Sequence, residues 1–100
     1  MTIYELNTTV TVQGGSNNAI SHNIVGGRCQ YLLIRANTAT TVFRAALKDH
    51  NGVTRLNYDF HEGEIVDAAI DFPMVGNYTV DITNSSPNDT FRIILSVPER

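Results

Sequence analysis

Phe72 to Thr83 reads F-P-M-V-G-N-Y-T-V-D-I-T, and the fold class turns on how that stretch divides. Its front half has turn chemistry. Pro73 fixes its own φ and cannot donate to a ladder, and Gly76 accepts the positive φ that a tight reversal often needs. Its back half has strand chemistry, with Tyr78, Val80 and Ile82 on one face and Asn77, Thr79, Asp81 and Thr83 on the other.

The same alternation extends in both directions. From Thr2 to Val12, Tyr4, Leu6, Thr8, Val10 and Val12 share one face, which predicts a long half-buried strand. Gln13 to Asn18 is a loop, and Ala19 to Val25 alternates again until Gly26-Gly27 interrupts it. Cys29 to Ala36 contains Tyr31, Leu32, Leu33 and Ile34 without alternation, as in a central strand covered on both faces. Thr40–Lys48 and Val53–Phe60 flank D-H-N-G, whose Asn51-Gly52 is a strong hairpin signal. Phe43 and Leu47 mark the core side of the first arm; Leu56, Tyr58 and Phe60 face one way in the second.

His61 to Glu64 reads as an exposed turn. Val66, Ala68, Ile70 and Phe72 then alternate with an acidic face, although helical spacing also fits Ile65 to Ile70. After the polar loop N-S-S-P-N-D, Phe91, Ile93, Leu95 and Val97 line the inner face of a last strand. About eight short strands result, with no loop long enough for parallel crossovers. The expectation is a single all-β domain over residues 1–100: a two-sheet antiparallel β-sandwich of seven or eight strands, with strand 2–12 as an arm or edge strand.

Composition narrows the function. A formal charge of −3, with seven cations spread along the chain, opposes phosphate-driven nucleic-acid binding. The N-terminus has neither a basic n-region nor an apolar h-region, and no apolar run reaches the roughly 18 residues of a membrane span. Cys29 is the only cysteine, so no intrachain disulfide forms, and it reads as a small buried residue. The expectation from these features is synthesis, and assembly, in a host cytoplasm.

Tyr78 behind Gly76 resembles the tyrosine corner of immunoglobulin-like sandwiches, and from Thr40 onward the strand order resembles the second half of such a domain. The resemblance implies structural roles for Pro73, Gly76 and Tyr78, with the Tyr78 hydroxyl bonded to backbone near Pro73 to Val75. The chain lacks the two cysteines and the Trp of antibody domains, and a jelly roll is the alternative architecture. A small Thr/Asn-rich sandwich with one cysteine is also similar to accessory proteins of tailed-phage particles. Those are capsid decoration (cement) subunits and tail modules, and Phe43 to Thr54, F-R-A-A-L-K-D-H-N-G-V-T, is similar in character to their hairpins.

Chemistry is sparse. Asp59, His61, Glu62 and Glu64 in D-F-H-E-G-E form the best metal candidate, since Asp59 and His61 fall on one side of an extended chain. An acidic solvated turn explains the same residues. No serine sits in an elbow motif, and no phosphate loop follows Gly14-Gly15 or Gly26-Gly27. Asp67 and Asp71 are about 13 Å apart in a strand, too far for a glycosidase pair. No catalytic residues and no cofactor are expected.

The reading is a non-enzymatic virion protein that stabilises a larger assembly, with a capsid or tail protein as partner or as a homo-oligomer. Tyr4, Leu6 and Val10 on the N-terminal strand are the interface candidates, the strand itself being a donor to another sheet. Deleting 1–12 is then expected to abolish partner binding and leave a folded core. The alternative is a carbohydrate-binding module with Tyr31 or Tyr58 exposed; a metal-dependent enzyme comes third.

Overall fold

The structure is a computed structural model that describes residues 2–68 and 70–98, with 2–5, 24–27, 72, 75, 97 and 98 described through their backbone alone. Eight strands account for most of it: β1 (Thr2–Val12), β2 (Asn17–Cys29), β3 (Tyr31–Ala36), β4 (Val42–Lys48), β5 (Thr54–Glu62), β6 (Glu64–Asp67), β7 (Phe72–Asn84) and β8 (Asp89–Pro98). They form two four-stranded antiparallel sheets, ordered β1-β8-β3-β6 and β2-β7-β4-β5. The expected two-sheet antiparallel sandwich is present.

The strand order identifies which sandwich. First pairs with last, second with seventh, third with sixth and fourth with fifth, as in one long hairpin rolled around a core. That is the jelly roll. It corrects the immunoglobulin-like expectation, in which the first two strands are neighbours within one sheet. Here β1 and β2 lie in opposite sheets, and the only consecutive strands paired within one sheet are β4 and β5. Their turn is the predicted one at Asn51-Gly52, and the Asp49 carboxylate closes it by accepting from the Asn51 and Val53 amides.

The core is the layer between the sheets. Phe43 of β4 meets Phe91 of β8 edge to face, with ring centroids 4.8 Å apart. Leu32, Ile34, Leu47, Val80, Ile82, Ile93 and Leu95 complete it, all nearly inaccessible. Leu33 points away from this cluster yet is also buried, which accounts for the unbroken apolar run in β3. Two buried polar residues tie the loops down. Asn84 donates to the carbonyls of Val12 and Pro87 and accepts from the Ser86 amide. Asp89 accepts from the Thr41 hydroxyl at 2.7 Å and from the Thr38 amide, anchoring the β3–β4 connection.

The corner predicted at Pro73–Gly76 does not form. Phe72–Asn84 is one continuous strand, with Gly76 opposite Ile24 and Met74 opposite Gly27 across a bulge in β2. The positive φ of Gly76, 90°, serves this irregular ladder and not a reversal. Pro73 is tolerated because β4 pairs with β7 only from Thr79 onward, so Pro73 stands where β7 has a neighbour on one side alone. The chain changes sheets at each connection other than β4–β5, with a single linking residue at Gln30, between β2 and β3, and at Gly63, between β5 and β6. Gly63 has φ 82°, and a Cβ there would lie 2.9 Å from the Ala39 carbonyl oxygen. Only glycine fits that bend.

β1 lies at the edge of its sheet but is no detachable arm. It pairs with β8 from Thr2↔Pro98 to Val12↔Asp89, and Leu6 and Val12 are buried in the core with Val10 packed against it. The long predicted strand from Val66 to Phe72 is corrected as well: β6 ends at Asp67 and Phe72 opens β7.

Candidate functional site

β5 and β6 are the two edge strands on one side of the sandwich, and they diverge from Gly63 into opposite sheets. A groove of about 360 Å³ opens between them. Its apolar part is Tyr58, Phe60, Ile65 and Val66; Asn57, Asp59 and His61 supply the polar groups. Ile65 is buried and Tyr58 half-buried, whereas Phe60 and Val66 are 51% and 50% exposed.

A bulge creates the exposure of Phe60. Phe43 pairs with His61 and Ala45 with Tyr58, so the single residue Arg44 stands against both Asp59 and Phe60. The extra residue breaks the alternation that otherwise keeps Phe60 in phase with Leu56 and Tyr58. Phe60 therefore turns outward, out of phase with Leu56 and Tyr58, with which the sequence grouped it. The Arg44 guanidinium lies 5.7 Å from the ring centroid and is attracted to the negative face of the ring. Arg44 does not line the groove, so the ring is braced from outside it.

Beneath the groove the Tyr58 hydroxyl donates to Asp67 Oδ2 at 2.7 Å, linking the two edge strands. Burial and this bond to a carboxylate together push the Tyr58 phenol well above its ordinary range. Burial also pushes the neighbouring Cys29 thiol up to about 11, so it stays protonated and unreactive at neutral pH. At the sandwich end, burial raises Asp89, but the bonds from Thr41, Thr38 and Thr90 outweigh it and hold the carboxyl below 3.8.

The predicted metal candidates divide. Asp59 and His61 line the groove, whereas Glu64 is engaged by Arg35 at 2.8 Å across β3 and β6. The bulge removes the simple alternation that would set Asp59 and His61 side by side. Among the described residues no three His, Cys, Asp or Glu side chains are placed to share a metal ion. Of the interface candidates, Leu6 and Val10 face the core, and the side chain of Tyr4 lies outside the described residues. Tyr78 is buried in the core, and the His50 ring sits 3.5 Å from where a Cβ on Gly76 would be.

No family model and no curated protein matches the chain. Solved structures do. A mitogen derived from Yersinia pseudotuberculosis superposes with a TM-score of 0.61 at 14% identity, covering 95% of this chain and 86% of that one. The C-terminal domain of a structural protein from Sulfolobus turreted icosahedral virus matches at 0.50 and 14% identity, over 99% and 100% of the two chains. The protein FLHE matches at 0.50 and 11% identity, over 99% and 97%. The likeness is one of fold. The jelly-roll sandwich is thus shared, almost end to end, with a viral structural domain among others.

Proposed function

We propose that this chain is a non-catalytic structural protein of a virus particle, a capsid decoration subunit of a tailed phage, that binds its neighbours through the β1–β2 side. The observation carrying this reading is the character of that side. β1 and β2 are edge strands of 11 and 13 residues, and their only charged residues are Glu5 and Arg28. An edge presents unpaired backbone donors and acceptors, and folded proteins normally defend a long one with charge, proline or bulges. β1 and β2 each have one register break, at Tyr4/Leu6 and Ile24/Gly27, but little charge along their length. An undefended edge accepts a strand from another sheet, which is how a small sandwich staples a capsid or tail protein or a second copy of itself. The end-to-end fold match with a viral structural domain supports the same reading.

Gradient sedimentation of the native source material, with mass-spectrometric detection of the 11.0 kDa chain, tests it. Migration with a particle of megadalton size is expected, and copy number then separates a capsid from a tail role. Recovery at the top of the gradient, as a free small protein, ends the virion reading.

A further inference from the structure

Phe60 is held at the mouth of the β5–β6 groove by a bulge and a guanidinium, with hydrogen-bonding side chains on either side of it. We infer that this groove binds a pyranose ring of a glycan, stacked on Phe60 and hydrogen-bonded through Asp59, Asn57 and His61. The inference does not rest on the virion reading and concerns the opposite side of the sandwich.

Three features select a sugar. First, a pyranose presents one face of weakly positive C–H groups, which complements the negative face of an aromatic ring. Phe60 offers such a ring half in solvent, and Arg44 fixes its orientation before any ligand arrives. Preorganisation of this kind lowers the ordering cost of binding. Second, neighbouring hydroxyls on a sugar suit a carboxylate that accepts two hydrogen bonds, and Asp59 stands beside Phe60 in the same bulge, exposed and lining the groove. Asn57 adds both a donor and an acceptor, and His61 adds a ring nitrogen. Third, about 360 Å³ lies at the small end of the roughly 300–1,000 Å³ typical of small-molecule sites. A protein partner would need a far broader apolar patch than Tyr58, Phe60, Ile65 and Val66 offer.

The test is titration of the ¹⁵N-labelled full chain with methyl α- and β-pyranosides of glucose, galactose and mannose, followed by amide chemical shifts. The expected result is saturable shifts confined to β5 and β6 for at least one sugar, with a Kd on the order of 1 mM. Phe60→Ala should weaken binding at least tenfold and Phe60→Trp should keep or tighten it, while Asp59→Asn weakens it with the fold unchanged. Phe60→Trp keeps the test decisive if Phe60→Ala fails to fold. No saturable shift with any of the sugars overturns the inference. Shifts elsewhere on the surface, or binding indifferent to Phe60 and Asp59, overturn it equally.

Discussion

The two open sides of this sandwich are built to opposite specifications. On one, β1 and β2 run long and almost without charge. On the other, β5 and β6 are shorter, and carry Arg55, Asp59, Glu62, Glu64 and Asp67. Both sides expose backbone to solvent, but only the second has the charges that discourage strand pairing. The two proposals follow this difference: another strand for the first side, a small ligand for the second. The stability of the molecule is also divided unequally between them, because β1 sends Leu6 and Val12 into the core and β6 keeps Val66 half in solvent.

The strongest challenge to that contrast is removal of β1. Deleting 2–12 strips Phe91, Ile93 and Leu95 of one of their two neighbouring strands and takes two core residues with it. The expected outcome is loss of a cooperative thermal transition by circular dichroism. A truncated chain that still melts cooperatively would restore the detachable arm.

Point substitutions sharpen the comparison. Leu6→Ala should cost about 3 kcal/mol in urea denaturation, whereas Val66→Ala should stay within about 0.5 kcal/mol. Equal losses would mean that the two edges share the core evenly. Tyr58→Phe removes the hydroxyl bridge between β5 and β6 and should cost about 1–2 kcal/mol, leaving the β1–β2 side untouched.

Acid acts through the β3–β4 loop and the start of β8. Asp89 has a carboxyl pKa below its unfolded value of 3.8, so its contribution is present above pH 3.8 and is lost as pH falls through the lower folded value. Asp89→Asn should therefore flatten the acid limb of a stability–pH profile. An unchanged limb would place that sensitivity on other carboxylates.

The smallest expected change in stability has the largest expected change in assembly. Ala19 is exposed on β2, and Ala19→Lys should leave the melting transition within about 0.5 kcal/mol. By adding a charge to the undefended edge, it should release the chain from particles in a gradient. Retention of Ala19→Lys on the particle would move the interface elsewhere.

The alternation of β1, β4, β7 and β8 was legible because the sandwich buries one face of each strand, and the Asn51-Gly52 hairpin was legible because turn chemistry is local. The corners were not. Gly63 and Gly76 both take positive φ, yet one turns the chain between sheets and the other sits within a strand. The distinction lies in the Ala39 carbonyl pressed against Gly63, a contact that no local pattern encodes. The candidate site was half visible: D-F-H-E drew attention to Asp59 and His61, and both line the groove, although the bulge breaks the alternation that would have paired them. The sequence pattern grouped Phe60 with Leu56 and Tyr58, because a bulge shifts the phase of a strand without altering its sequence period. Asn84 was hidden for a related reason. It stands at the head of a polar loop, but its amide satisfies three backbone groups at a fully buried sandwich end.

Thr2 lies directly opposite Pro98, on neighbouring antiparallel strands. A mechanical load applied between the two chain ends would therefore act across a single pair of strands, at one extremity of their ladder. The β1–β8 hydrogen bonds would break one after another, as in a zipper, instead of being sheared together. The domain should yield at low force when pulled by its ends and resist far more when gripped at Val12 and Pro98, where the same ladder is loaded along its length. Joined to a host protein at both ends, it would form a knob on a narrow stalk, adding bulk to the surface that bears it while carrying little of that surface's tension.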